Sequence, residues 1–445
     1  MAKEMTAGKP WKLIFFFSIP LLIGNVFQQL YSMVDTIIVG RFVSTQALAA
    51  VGSTGAISFL VLGFAMGITG GFSIVVAQKF GARDEEGVRS SIGMGIWLSI
   101  LTTVILTVIA VATARPLLLL MNTPEDILAD AILYIVIIYI GIGASVYYNF
   151  IASIVRALGD SRTPLYFLLF SSALNIILDL VLIIVFHMGV AGAGIATVFS
   201  QLLAAVLCTV YSVKKYELLR LNRRHMRWNW NLGKSELKVG IPMACQFSIT
   251  AVGVMVLQGA LNRFGSDVIA AYTAASKVEA LVTQPFQALG ITMATYCGQN
   301  IGAGKWNRVR KGMNACVLMC MVTVVAAMAI NVFGGSWCTA LFMTNPSQEI
   351  LTYAQTYLNV IAIFYPILGL LYVYRNGLQG MGDALFPMLG GLGELLARLA
   401  VATILPAFMG FMGICAASPV AWVAATAVLL IRYFTWSRRW PREEI

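Results

Sequence analysis

Long apolar stretches recur from one end of this chain to the other, and they constrain its fold more than any other feature. Each is about 20 residues or longer, enough for a helix to cross a hydrocarbon core of about 30 Å. The 445 residues are 59% hydrophobic and only 11% charged, whereas a soluble domain carries about 25% charged residues. The stretches lack the alternation typical of β-barrel strands. The sequence therefore predicts an all-α integral membrane protein.

Twelve of these stretches are expected to be membrane-spanning helices. They cover residues 12–40, 47–79, 88–113, 126–155, 163–186, 189–213, 236–262, 267–299, 308–332, 348–374, 384–409 and 411–435. Basic residues from Lys3 to Arg442 concentrate in the connections on one side, and the other side has only Arg41, Arg115 and Arg263. Because Lys and Arg favour cytoplasmic loops, both termini are expected to be cytoplasmic. This topology and the attraction of basic residues to anionic lipid explain the net charge of +11, so no nucleic-acid partner is predicted.

The two halves of the sequence repeat the same short motifs in the same order. Ser18-Ile19-Pro20 matches Gly240-Ile241-Pro242, and Leu158-Gly159-Asp160 matches Met381-Gly382-Asp383. Two further matches pair Arg41-Phe42 with Arg263-Phe264, and Gln78, Gly81 and Ala82 with Gln299, Gly302 and Ala303. Six spans per half make the repeats parallel, related by an axis along the membrane normal, as in some transporters. We predict an N-terminal lobe at 1–213, an interfacial linker at 214–235 and a C-terminal lobe at 236–445.

Two aspartates, Asp35 and Asp179, lie inside predicted spans with no basic partner nearby. A charge at that depth costs at least about 2.5–3.5 kcal/mol, so such residues are functional candidates. At a rise of 1.5 Å per residue, Asp35, Asp179 and Thr197 reach a similar depth, and Asn175 is one turn deeper. Their oxygens suit Na⁺, and two neighbouring carboxylates also suit a proton, so both ions stay open. The alternative is that these acids only hold helices together.

Other candidates are assigned less specific roles. Gln28, Ser32, Gln201, Glu279, Thr283, Met255 and Met293 are candidate cavity or substrate-binding residues, and Pro20 is a candidate hinge. Glu279 either lines the cavity or pairs with Arg398 or Lys277, whereas Glu394 and Arg398 are spaced for an ion pair within one helix. The seven cysteines are interpreted as small core residues. No phosphate-binding loop and no nucleophile–base pair is found, so no enzyme activity is predicted.

Several of these motifs together resemble the multidrug and toxic compound extrusion (MATE) family of transporters. The resemblance rests on the repeat, on Ser18-Ile19-Pro20, and on the stretches 156–160, 192–197 and 299–304. It implies two six-helix lobes around a V-shaped central cavity and alternating access. In the DinF-like type, it also implies a cation site in the N-terminal lobe formed by Asp35, Asn175, Asp179 and Thr197, with bending at Pro20.

The sequence departs from the NorM-like branch of that family. That branch places acids on spans 7 and 10, but residues 241–262 and 350–369 contain none. The resemblance therefore implies a cation site in the first lobe rather than in the second. Glu279 is the residue that keeps a second-lobe site open.

The function expected from these features is secondary export. A gradient of H⁺ or Na⁺ would drive efflux of small amphipathic, cationic compounds by a monomer in the plasma membrane, of the bacterial inner-membrane type. No cofactor besides the coupling ion and no partner besides the substrate and the lipid bilayer is predicted. The alternatives are a flippase for a lipid-linked precursor, which would need more intramembrane Arg and Lys, or a channel or accessory subunit.

Overall fold

The computed structural model describes residues 4–261, 263–343 and 347–441, so Lys3 and Arg442 lie outside it. Throughout this part of the chain the regular secondary structure is helical. The α-helices are α1 Pro10–Phe42, α2 Thr45–Gly81, α3 Glu85–Leu120, α4 Glu125–Ile140, α5 Ile142–Ala157, α6 Arg162–Leu180, α7 Gly189–Lys215, α8 Trp230–Leu261, α9 Ser266–Val282, α10 Gln284–Gly302, α11 Trp306–Ala340, α12 Gln348–Ile363, α13 Tyr365–Gly380, α14 Leu385–Ile404, α15 Pro406–Met409, α16 Phe411–Cys415 and α17 Ala417–Ser437. A π-helical turn, Val181–Val185, follows α6, and a 3₁₀ turn, Glu217–Leu219, follows α7.

These helices reproduce the predicted spans. Among the described residues, nine helical segments are long and apolar enough to cross a membrane, and the bent pairs α4–α5 (46°) and α12–α13 (55°) each add one. The pair α9–α10, interrupted at Thr283, lies where the remaining span, 267–299, is predicted. Pro285 and Pro366, which lack a backbone N–H, lie in the first turns of α10 and α13 and account for two of the three breaks. The predicted all-α membrane fold is confirmed.

The repeated Gly-Asp motif adopts one backbone conformation in both halves. Gly159 and Gly382 have φ angles of +85° and +89°, a region that glycine enters without strain. Asp160 then accepts from the backbone N–H of Thr163 (3.1 Å) at the start of α6 and bridges Lys215 Nζ at 2.9 Å. Burial alone would raise the pKa of Asp160, but hydrogen bonds from Thr163, Tyr216 and Lys215 hold it well below its ordinary value. The motif thus ends one helix, begins the next and pairs with a basic residue.

The second copy of the motif has the same design. Asp383 lies within 3.5 Å of the Phe386 backbone N–H and forms an ion pair with Arg432 Nε at 2.5 Å. The backbone conformation and the ion pair that the two copies share give the sequence repeat a structural counterpart.

Helix α8 begins earlier than its predicted span. Its first turn starts at Trp230 rather than at 236, because Asn229 caps it: the side-chain oxygen of Asn229 accepts from the Leu232 N–H at 3.2 Å. The additional turns bring Glu236 into the helix. This residue is fully buried.

The chain separates into two compact units. One contains Met1–Met5 and Ile23–Ser248, and the other contains Thr6–Leu22 and Ile249–Ile445. Each division falls inside a long helix: α1 changes unit just after Pro20, and α8 changes unit six residues after Pro242. The first half of α8 is thus built into the first unit. The predicted lobe boundaries at 213 and 236 stay a prediction.

Within the first unit, α2 and α8 meet backbone to backbone. A Cβ placed on Gly71 would lie 2.3 Å from Gly240 Cα, and one placed on Gly67 would lie 2.6 Å from Ala244 Cα. Close approach of this kind needs small residues, which is typical of helix contacts in membranes. It fixes the first half of α8 against the first unit.

Candidate cation site

The four residues predicted to bind a cation lie on three helices of the first unit. Asp35 is on α1, Asn175 and Asp179 are one turn apart on α6, and Thr197 is on α7. Residues four apart on a helix share a face, so both α6 side chains point the same way. The π-helical turn Val181–Val185 begins two residues after Asp179. Such turns are rare and occur often at functional sites.

The structure brings these side chains together. The carboxyl groups of Asp35 and Asp179 are close enough to interact electrostatically. Two neighbouring carboxyl groups disfavour a double negative charge, so this pair suits a bound proton or another cation. On the other side of Asp179, Asn175 Nδ2 donates to Thr197 Oγ1 at 3.3 Å. The amide oxygen of Asn175 is thereby left free for another contact.

Acceptor atoms outnumber donors at this site. Asp35 Oδ1, both carboxyl oxygens of Asp179 and Asn175 Oδ1 are buried with no hydrogen-bond donor in the part of the chain that the structure describes. No Lys or Arg of that part forms an ion pair with either aspartate. Unsatisfied buried oxygens are costly unless something positive binds them. Carboxylate, amide and hydroxyl oxygens are hard ligands, so the residues fit either a proton or Na⁺.

Two tyrosines at the site were missed by the sequence analysis. Tyr31 on α1 is close to Thr197 and to both aspartates. Tyr134 on α4 is close to Asp35, Asp179 and Tyr31. A signal existed only for Tyr31, which precedes Asp35 by one helical turn and shares its face.

The other predicted residues of the first unit have separate surroundings. Gln28 and Ser32 are exposed on α1, on the same helix as the cluster. Gln201 on α7 accepts a hydrogen bond from the Ser145 hydroxyl of α5. Pro20 lies inside α1, which continues as a helix through it.

In the second unit the candidate residues do not form a comparable cluster. Glu279 accepts from the Tyr357 hydroxyl at 2.7 Å, and Arg398 is close enough to act on it electrostatically without an ion pair between them. The Thr283 hydroxyl donates to the Glu279 carbonyl at 2.8 Å, where α9 ends. Met255 is half-buried and Met293 is fully buried. Their assignment to a substrate cavity stays a prediction.

The predicted ion pair on α14 is confirmed and is part of a larger group. Arg398 lies 3.0 Å from Glu394, and Arg375 of α13 lies 2.7 Å from the second carboxyl oxygen of the same residue. All three side chains are buried. One carboxylate therefore joins two guanidinium groups, and the sequence analysis missed the second of them.

Sequence comparison gives matches along nearly the whole chain. The family model described as MatE matches residues 20–181 and 242–421. The chain is 30% identical over 438 residues to the probable multidrug resistance protein YpnP of Bacillus subtilis, with 98% of each chain covered. It is 26% identical over 445 residues to the probable multidrug resistance protein NorM of Thermotoga maritima, with 96% of this chain and 92% of the relative covered.

Solved structures match over the same extent. A structure described as the outward-facing conformation of a multidrug resistance MATE family transporter of the MOP superfamily has a TM-score of 0.92 and covers 98% of both chains. A structure of MATE in the bent conformation has a TM-score of 0.88 and covers 98% of this chain and 96% of the other. The identities are 22% and 23%, so these similarities concern the fold alone.

Proposed function

This chain belongs to the MatE family of membrane transporters, and from that premise we propose that it exports small organic compounds in exchange for a cation. The coupling ion is H⁺ or Na⁺, and the compounds are amphipathic and cationic. Two of its relatives are described as probable multidrug resistance proteins, which supports a broad substrate range. No further cofactor is needed, because the ion gradient supplies the free energy.

The observation that carries the proposal is the cluster of buried oxygens in the first unit. Asp35, Asp179 and Asn175 present acceptor atoms to one another without donors, in a region where an unpaired negative charge is costly. A bound cation removes that cost. Its binding free energy can shift the transporter between conformations only if the cation binds them with different affinity.

Helix α1 provides the link between the ion and the rest of the molecule. It carries Asp35 and Tyr31 in its second half, within the first unit, and its first half belongs to the second unit. Pro20 removes one backbone hydrogen bond shortly before the change of unit, so bending there is less costly than elsewhere in the helix. We infer that occupancy of the cation site alters the bend of α1.

The setting of the transporter follows from the charge pattern and the relatives. We propose a monomer in the plasma membrane, of the bacterial inner-membrane type, with both termini on the cytoplasmic side, where the basic connections lie. Efflux then moves the substrate away from that side.

The test is transport by purified protein in proteoliposomes. Efflux of a cationic dye is measured under a proton gradient and under a Na⁺ gradient, each imposed separately. The wild type is expected to respond to at least one gradient, and Asp35→Asn and Asp179→Asn are expected to lose the response while inserting normally. Asp126→Asn, an exposed aspartate in the first turn of α4, is the matched control and should transport normally.

Two outcomes would overturn the proposal. Gradient-driven efflux by both site variants at the wild-type rate would mean that the carboxyl cluster does not couple transport. Ion flux through the wild type in the absence of any dye, at rates typical of a pore, would mean that the protein is a channel.

A further inference from the structure

A second buried carboxyl group lies in the first unit, apart from the candidate cation site. Glu236 is in the first half of α8, is fully buried, and neither of its carboxyl oxygens has a hydrogen-bond donor among the residues described by the structure. Its Oε2 lies 3.6 Å from where a Cβ on Gly95 of α3 would stand. A carboxylate buried in this way would be strongly destabilising. A neutral carboxylic acid costs much less to bury.

The internal repeat indicates that packing alone does not require an acid here. Glu236 corresponds to Ile14 of α1 when the two Ile-Pro motifs are aligned, and both positions are fully buried. The surrounding burial pattern also matches, with 5% exposure at Phe17 and 6% at Val239. The same helical position is therefore filled by an isoleucine in one half and by an ionisable group in the other.

Charged groups on the neighbouring elements are directed elsewhere. In α3, Arg89 forms an ion pair with Glu85, whereas Glu86 contacts His225. At the end of α2, Lys79 forms an ion pair with Asp84. In α5, Arg156 donates a hydrogen bond to Ser153. On α8 itself, Lys234 and Lys238 are two residues away from Glu236 and therefore lie on other faces. Glu236 thus has no counter-ion among the described residues, and a proton is the cation that can neutralise it.

Polar groups and a water-accessible cavity lie close to this carboxyl group. Ser91 and Ser99 of α3 lie one turn either side of Gly95, and their buried hydroxyls have no partner in the described part of the chain. A cavity of about 340 Å³ opens at the start of α8, lined among others by Ser90, Asn229 and Asn231. Asn231 precedes Glu236 by five residues, about 7.5 Å along the helix. A small opening of this end of α8 would let water reach the carboxyl group.

We propose that Glu236 is a second proton-binding site, distinct from the Asp35–Asp179 cluster. In the closed packing of α8 its carboxyl group holds a proton. When the first half of α8 loosens, the proton passes to water in the cavity at the helix start, and the resulting carboxylate is hydrated there. Protonation closes this half of the helix, and deprotonation opens it. The proposal does not depend on which ion or substrate the transporter carries.

Infrared spectroscopy of the full chain in lipid nanodiscs tests the proton directly. The C=O stretch of a neutral carboxylic acid is compared between the Asp35→Asn/Asp179→Asn variant and the same variant with Glu236→Gln added, at neutral pH. The triple variant is expected to lose one protonated-carboxyl band. Equal carboxylic-acid absorbance in the two proteins would overturn the proposal, because Glu236 would then be ionised.

Hydrogen–deuterium exchange tests the opening. Exchange of the segment 230–245, corrected for the intrinsic effect of pH, is expected to rise with pH in the wild type and to lose this dependence in Glu236→Gln. Glu236→Ile, which copies the residue found in α1, is the second variant should the glutamine fail to pack, and it should also be insensitive to pH. If both variants retain the wild-type pH response, the proposed opening is wrong.

Discussion

Replacing Gly71 by alanine should separate α2 from the first half of α8. The added Cβ would lie 2.3 Å from Gly240 Cα, 2.6 Å from its backbone nitrogen and 3.0 Å from the Val239 carbonyl carbon. Carbon atoms in contact are normally about 3.5–4.0 Å apart, so the shortfall is roughly 1.2–1.7 Å. All three neighbours are backbone atoms, so no side-chain rotation relieves the clash. Overpacking costs about 1–3 kcal/mol, and we expect the upper end of that range.

The matched control for this change is Gly55→Ala in the same helix. A Cβ on Gly55 meets nothing within 4 Å. Alanine is a better helix former than glycine by about 1 kcal/mol, so this variant should be as stable as the wild type or more so. Thermal unfolding in one detergent, followed by tryptophan fluorescence, gives the comparison. If Gly71→Ala unfolds at the same temperature as Gly55→Ala, the close approach of α2 and α8 is not as described.

Three further changes test other parts of the molecule. Asp160→Asn should reduce the free energy of unfolding by about 1–3 kcal/mol at neutral pH, because it removes the charged acceptor for Lys215. Because the folded-state pKa of Asp160 is lowered, the difference from the wild type should be complete above about pH 4, the ordinary carboxyl pKa, and should shrink progressively as the pH of the unfolding assay falls further toward the lowered pKa. Glu394→Gln should reduce the free energy of unfolding by about 3–5 kcal/mol, because Arg375 loses its buried counter-ion. The unfolding temperature should fall accordingly, and an unchanged melting curve would contradict this. Tyr31→Phe should raise the cation concentration for half-maximal efflux about fivefold, equivalent to about 1 kcal/mol, if its hydroxyl supports the site, and an unchanged value would exclude that role.

That Asp35, Asn175, Asp179 and Thr197 lie near one another could be predicted from the sequence, because the cost of a buried charge and its depth in a span can both be estimated from positions along the chain; their role in binding a cation stays a prediction. A charge far from any basic residue, placed by counting from a turn, identifies Asp35 and Asp179 without knowledge of helix packing. Tyr134 and Arg375 could not be found in this way. Their relevance depends on which helices are neighbours, and nothing in the local pattern around either residue specifies that.

Glu236 was missed for a different reason. It stood at the predicted first residue of its span, where a carboxylate is ordinarily hydrated and needs no explanation. Because Asn229 caps α8, the helix starts six residues earlier than predicted. Gly71 of α2 and Gly95 of α3 allow these two helices to pack closely against the first half of α8. Burial of this residue therefore results from a helix boundary and from tertiary packing, the two features that a single sequence specifies least well.

Asp35 of the Asp35–Asp179 cluster and Glu236 are each carried by a helix that continues from one unit into the other, α1 and α8 respectively. Each helix has its first half in one unit and its second half in the other, and each has a proline shortly before the change. Asp35 lies beyond the change in α1, and Glu236 lies before it in α8, so both acids are in the first unit on helices that continue into the second. We infer that a change of charge on either acid alters the packing of its own half-helix, which is covalently continuous with a half in the other unit. Two such sites could therefore influence one conformational equilibrium without touching each other, provided that each binds its cation with different affinity in the two conformations.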